Sequence, residues 1–176
     1  MIQLHDKQFV PFISAQEIDF AIAAMAAQVE ADFADETPVF VGILNGAFMV
    51  VSDFMKHYSK PCEVSFIKLA SYEGTSTTNE VKQLIGINQD LAGRTVIVIE
   101  DIVDTGNTLV ELKELFKKQN VKHFKIATLF LKSDAYKKDI KIDYVGIRIP
   151  DKFIVGYGLD YDGLGRNLSE VYQLQD

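Results

Sequence analysis

The sequence predicts an α/β fold: a mainly parallel, twisted sheet with helices on both faces, completed by a β flap and a small C-terminal hood. Three observations carry this expectation. Apolar, β-branched runs alternate with segments of helical periodicity, the pattern of β-α-β units around a parallel sheet. The runs at 39–44, 96–99 and 124–131 are nearly continuous in apolar residues, as suits strands buried on both faces. Two of the strands pass through small polar turns straight into helices, so their C-terminal ends form the edge where open α/β sheets bind ligands.

Each element follows in order. Residues 1–13 alternate weakly and are expected to lie along the surface. Ser14 and Glu17 have capping-box spacing, and Ile18, Ile22, Met25, Val29 and Phe33 recur at helical spacing, so 15–34 is an amphipathic helix that stops at Thr37-Pro38. The strand 39–44 turns at Asn45-Gly46-Ala47 into a helix at about 47–58. Residues 61–70 form a longer strand, with Val64 and Phe66 on one face and Ile67 and Leu69 on the other. The tract from Glu73 to Glu80 is small and polar; strand character resumes at 81–87, so 63–87 is a hairpin or flap. Asp90 to Arg94 is a turn. After the strand 96–99 the chain places Glu100 and Asp101, a turn from Asp104 to Thr108, and a helix with Leu109, Leu112, Leu115 and Phe116 on one face. Strands at 124–131 and 142–149 follow. The glycine- and tyrosine-rich 156–166 is too irregular for a regular element, and 171–174 is a short closing strand.

Composition narrows the function classes. The chain has 176 residues, 48% of them hydrophobic and 24% charged, enough for one domain with a substantial core. No repeat, linker or low-complexity tract divides it, so 1–176 is expected to be a single domain. A net charge of -7 argues against a nucleic-acid partner. An acidic protein can still bind an anion through helix N-terminal amides or a bridging cation. The single cysteine, Cys62, has no internal partner and reads as an inert core thiol. No basic-then-apolar leader and no apolar run of membrane-spanning length is present, so neither a signal peptide nor a membrane partner is expected, and the setting is cytosolic.

The chemistry concentrates in 100–108. Thr105, Gly106, Asn107 and Thr108 lead into a helix N-terminus, where backbone N–H groups and hydroxyls can surround a phosphate; Gly106 lets the backbone come close. Glu100 and Asp101 can accept hydrogen bonds from sugar hydroxyls or orient Mg²⁺ through water. Together these features suit a ribose 5-phosphate. Asp104 lies between them and could act as a general base. No Gly-Lys-Ser/Thr follows, which excludes a Walker loop, and Gly-x-Gly-x-x-Gly is absent, which excludes a dinucleotide fingerprint.

At Val96-Ile-Val-Ile-Glu-Asp-Ile-Val-Asp-Thr-Gly-Asn-Thr108 the sequence resembles the phosphoribosyl-pyrophosphate signature of the type I phosphoribosyltransferases. Leu44-Asn45-Gly46 resembles their pyrophosphate loop and Ser71-Tyr72 the start of their catalytic loop. Pro150-Asp-Lys-Phe-Ile-Val-Gly-Tyr157 with Leu159-Asp-Tyr161 resembles the purine hood of the members that act on hypoxanthine and guanine. The resemblance spans about 39–166 and implies the type I fold, with a flap at about 71–82 and a hood at about 150–176 joined by N-terminal residues.

The resemblance also implies roles. Thr105 to Thr108, with Asp104, would hold the 5-phosphate. Glu100 and Asp101 would engage the ribose hydroxyls, directly and through Mg²⁺. Asp104 would be the base near purine N7. Lys132 would donate to a 6-oxo group, Phe153 would stack on the purine, and the backbone at Ile154 would meet the ring edge. Asp160 would bind a second Mg²⁺ and Arg166 would contact pyrophosphate. Ser71 and Tyr72 would close over the reacting centre. Two positions depart from the family pattern: Asn45 stands where many members have Lys, and Asn107 where they often have Lys or Arg. Both remove positive charge near phosphate.

The implied activity is purine salvage: phosphoribosyl pyrophosphate and hypoxanthine or guanine give IMP or GMP and pyrophosphate. Two alternatives stand beside it: a non-catalytic protein that senses phosphoribosyl pyrophosphate, and a transferase for another purine such as xanthine. The resemblance further implies a homodimer or homotetramer.

Overall fold

The computed structural model describes residues 1–70, 82–87 and 89–175. Ser71, Tyr72, and the polar tract that follows them lie outside the described residues.

Two sheets build the molecule. The larger has six strands: β3 (Val39–Ile43), β4 (Glu63–Ala70), β5 (Lys82–Ile85), β6 (Thr95–Val103), β7 (His123–Lys132) and β8 (Tyr144–Ile149), in the spatial order β5-β4-β3-β6-β7-β8. Five of them run parallel, and β5 returns antiparallel along β4, which makes the expected hairpin. The smaller sheet holds β1 (Ile2–Leu4), β2 (Lys7–Ile13), β9 (Ile154–Val155) and β10 (Val171–Leu174), in the order β1-β2-β10-β9.

Helices cover both faces of the large sheet, as the alternating pattern predicts. Helices α1 (Ala15–Asp32) and α2 (Phe48–His57) share one core with Ile97, Ile99, Ala127 and Leu129. On the opposite face α3 (Asn107–Lys118) buries Leu109, Leu112 and Phe116 against Val96, Val98 and Ile126. Central strands therefore contribute alternate residues to two cores, which is why their sequences are apolar without a break. Helix α1 starts on the predicted capping box, with Ser14 and Glu17 satisfying each other's backbone N–H groups.

Two expectations need correction. The N-terminal residues lie only in part along the surface. They form the β1–β2 hairpin of the small sheet, and Phe9 is fully buried there. Their partner β10 lies at the far end of the chain, so local alternation gave no hint of the burial. Nor does the central strand stop before its acids: β6 continues to Val103, so Glu100 and Asp101 lie inside it. Backbone pairing with β7 extends the strand past the apolar run, with Glu100 opposite Thr128 and Ile102 opposite Phe130.

The topology fixes where a ligand can sit. From β3 the chain passes through α2 to β4 on one side; from β6 it passes through α3 to β7 on the other. The adjacent C-terminal ends of β3 and β6 thus form the switch point of the sheet, and the two following loops part there to open a crevice.

Candidate active site

The crevice at the switch point is an open cleft of about 250 Å³. The loop after β3 supplies Gly46; β6 and its turn supply Asp101, Ile102 and Asp104; Lys132 comes from the end of β7. Lys152, Phe153, Ile154, Leu159, Asp160 and Arg166 reach it from the segment that leads into and past β9.

Gly46 sits where no side chain fits. A Cβ there would lie 1.7 Å from the Asp101 Oδ2, and a Cβ on Gly158 would lie 2.1 Å from the Gly46 carbonyl oxygen. The loop is therefore clasped between Asp101 of the large sheet and Gly158 beside the small one. Leu44 and Asn45 are joined by a cis peptide bond, and the Leu44 N–H donates to the Ile67 carbonyl at 2.9 Å.

Pleating sends the two adjacent acids of β6 in opposite directions. Asp101 faces the cleft. Burial pushes its carboxyl up to about 6, opposed by backbone hydrogen bonds and the charge of Arg166, and reinforced by Asp160. Glu100 is buried and is not among the residues lining the cleft. Burial, and then the neighbouring Asp101 charge, push it up to about 8.

Lys132 is buried between two carboxylates. Its Nζ lies 3.0 Å from Asp104 Oδ2 and 2.9 Å from Asp151 Oδ1. Burial alone would lower the ammonium's pKa; the hydrogen bonds to Asp151 and Asp104 outweigh it and hold it above the ordinary lysine range. An ammonium has three donors, so the two acids leave one for an acceptor in the cleft.

The hood side carries the aromatic wall. Phe153 is 46% exposed, an unusual state for a phenylalanine that packs on Phe9 and, edge-on, on Tyr161. Ile154 beside it is buried. Arg166 Nη2 pairs with Asp160 Oδ1 at 2.5 Å, and its Nη1 donates to the Gly158 carbonyl at 2.7 Å.

The turn 104–108 is built for open amides. Gly106, the N-cap of α3, has φ +77 and lies under the Tyr136 ring, where a Cβ would come within 2.4 Å of Cε2. Thr105 and Asn107 are exposed and Thr108 is half-buried. No side chain caps α3, and none caps α2 at Ala47, whereas α1 is capped. Two helices thus present uncapped N-terminal amides next to the cleft, and these amides favour anions.

Three carboxylates line the cleft, Asp101, Asp104 and Asp160; Asp104 lies against the Lys132 ammonium, and the other two make the candidate cation pair. Among the described residues no three His, Cys, Asp or Glu side chains group to hold a metal by themselves. The pair fits a hard divalent ion that takes one or two protein carboxylates and completes its shell with substrate oxygens and water.

Of the residues singled out in the sequence, the cleft unites Gly46, Asp101, Asp104, Lys132, Phe153, Ile154, Asp160 and Arg166. Ser71 and Tyr72 lie outside the described residues. Sequence reasoning missed Ile102, Lys152 and Leu159 in the lining and Asp151 behind Lys132. Asp151, Lys152 and Leu159 all fall within the quoted hood motif, so adjacency to Phe153 and Asp160 was an available signal.

A parallel sheet with a phosphate-friendly turn after its central strand and a separate hood over the switch point defines a class. Residues 13–162 match the phosphoribosyl transferase domain family, and the chain belongs to this family of enzymes. Its relatives are narrower in kind. It is 39% identical over 168 residues to the hypoxanthine-guanine phosphoribosyltransferase of Bacillus subtilis, covering 95% of this chain and 93% of that one. A protein of the same name from Streptococcus agalactiae is 40% identical over 164 residues, covering 93% and 91%. The crystal structure of a hypoxanthine-guanine phosphoribosyltransferase from Bacillus anthracis, with a HEPES molecule in its active site, superposes with a TM-score of 0.88 at 36% identity. That match covers 97% of this chain and 99% of the other.

Proposed function

We propose that this enzyme transfers the 5-phosphoribosyl group from phosphoribosyl pyrophosphate to hypoxanthine or guanine, forming IMP or GMP and releasing pyrophosphate. The carrying observation is Lys132, a buried ammonium that opens on the same cleft as the exposed Phe153 ring and Asp101. An ammonium donates and cannot accept, so it favours a 6-oxo purine over a 6-amino one. Family membership and the named relatives support the same acceptors.

Roles follow from position. Phe153 stacks on the purine and the Ile154 backbone meets its edge. Thr105 to Thr108 hold the 5-phosphate at the start of α3, and Leu44, Asn45 and Gly46 receive the pyrophosphate at the start of α2. Asp101 and Glu100 engage the ribose hydroxyls, which requires Glu100 to turn from its buried position. Arg166 contacts the pyrophosphate. The bond from the anomeric carbon to the pyrophosphate oxygen breaks through an oxocarbenium-like transition state, and purine N9 forms the new bond. The purine gives up one proton near N7, which the Asp104 carboxylate accepts. Mg²⁺, held by Asp101 and Asp160 with Glu100 nearby, would neutralise charge on the departing pyrophosphate.

The whole chain acts as one transferase domain, with the small sheet as the hood over the base. We place it in the cytosol as a homodimer or homotetramer; light scattering that returns the monomer mass would contradict the assembly.

The test is direct. The protein is incubated with phosphoribosyl pyrophosphate, Mg²⁺ and each of hypoxanthine, guanine, xanthine and adenine, and nucleotide formation is followed. Product with hypoxanthine and guanine but not adenine is expected. No product with any base would overturn the proposal.

A further inference from the structure

The cations at the cleft are largely spoken for. Lys132 is shared by Asp104 and Asp151, and Arg166 is paired with Asp160. A pyrophosphate group brings several negative charges to the loop 44–47, close to the carboxylate of Asp101 packed on Gly46. Backbone amides carry only partial charge, so a full positive charge at this loop would change its affinity.

Lys68 supplies one. It lies on β4, whose residue Ile67 pairs with Ile43 at the end of β3. Its stem therefore emerges beside the loop rather than from it. The Nζ donates to Asn45 Oδ1 at 3.2 Å, and among the described residues Lys68 makes no ion pair. The amide oxygen is neutral: it fixes the ammonium without cancelling its charge. Two of the three ammonium donors remain. Asn45 thus acts as a bracket for a cation delivered by the neighbouring strand.

We propose that Lys68 is a binding residue for the pyrophosphate group of the phosphoribosyl donor, held at the loop by the Asn45 side chain; this rests on the transferase reading above. In Lys68→Ala, the KM for phosphoribosyl pyrophosphate rises about tenfold, as for loss of one charge-assisted hydrogen bond, while the KM for hypoxanthine stays put. Lys68→Arg keeps most of the affinity. Adding Asn45→Lys to Lys68→Ala returns an ammonium to the same point and restores donor affinity, which a merely structural role for Lys68 would not allow.

Calorimetric titration of the wild type and Lys68→Ala with inorganic pyrophosphate and Mg²⁺ reads the contact without turnover. Weaker binding by the variant is expected. Equal binding by the two proteins overturns the Lys68 assignment alone, even if the wild type forms nucleotide. A wild type that binds pyrophosphate but forms no nucleotide sinks the transfer reading and leaves the contact to the comparison with the variant. A wild type that does not bind pyrophosphate overturns both.

Discussion

In the proposed reaction Asp104 carries the heaviest chemical demand of any single residue. It is half-exposed at the cleft, and its carboxylate touches the buried ammonium of Lys132 at 3.0 Å. In the proposed reaction that contact would join base recognition to proton acceptance, because one lysine would serve both the 6-oxo group and the acid that takes the proton. Asp104→Asn preserves shape and a hydrogen-bonding oxygen but cannot accept the proton. Turnover should fall by about 10²–10⁴-fold with the hypoxanthine KM little changed; steady-state rates near those of the wild type would remove Asp104 from the base role. Gly46 shows the opposite limit, a residue that matters for what it lacks. In Gly46→Ala the new Cβ meets Asp101 Oδ2 at 1.7 Å, so the carboxylate must leave its place. We expect kcat/KM to drop about 10²-fold, the scale of a 1 Å misplacement at a reacting centre, while the circular-dichroism spectrum is retained. Full activity would mean that the Asp101 position is not critical.

Among the elements, β6 does the most to define the site. Its start is anchored far from the chemistry: the buried hydroxyl of Thr95 donates to Glu36, which also accepts from Lys122 Nζ at 2.7 Å. The Lys122 hydrogen bond first, and then that of Thr95, hold the Glu36 carboxyl below the usual range. A carboxyl whose pKa is lowered by folding contributes stability above its unfolded pKa and loses it as pH falls through the folded value. Glu36→Gln should therefore destabilise the protein near neutral pH, and the difference from wild type should shrink as pH falls below about 4.3 and vanish only once pH lies below the lowered folded value. Urea midpoints at pH 7 and in the acid range read this; a difference independent of pH would mean that the Glu36 charge is not the source. At the other end of β6, pleating splits the two acids between opposite faces. Adjacency in sequence made Glu100 and Asp101 look like one clamp, and only the strand's continuation to Val103 separates them.

At the scale of the whole molecule, the two sheets must keep register for the cleft to exist, since the large sheet supplies Asp101 and Lys132 and the segment around β9 supplies Phe153, Asp160 and Arg166. One tie is polar and largely buried: the Tyr157 hydroxyl donates to Asp53 on α2, the helix that follows the Gly46 loop. Another is the close approach of Gly158 to the Gly46 carbonyl. Tyr157→Phe leaves Asp53 its partner Lys56 but unfastens the hood. We expect a stability loss of about 1–2 kcal/mol together with higher KM values for both base and pyrophosphate. Thermal unfolding and steady-state kinetics measure the two; a stability loss with unaltered KM values would make the tie structural only.

The sequence by itself determined the architecture and marked most of the residues that line the cleft. Uninterrupted β-branched runs dictate strands buried on both faces, helical periodicity dictates the layers above and below them, and the signature from Val96 to Thr108 is contiguous, so its turn and helix start are read from local chemistry. Phe153, Asp160 and Arg166 were legible because they lie on one short stretch of chain. Tertiary structure decided what separation in sequence hides. It buried Phe9 and Ile13 of the N-terminal hairpin by pairing β2 with β10. It placed Asp151 against Lys132, moved Glu100 away from the cleft, and delivered Lys68 from a neighbouring strand to Asn45. The physical reason is the same in each case: a strand's backbone pairing and a side chain's partner across the sheet are set by register between distant segments, and no local pattern of residues encodes that register.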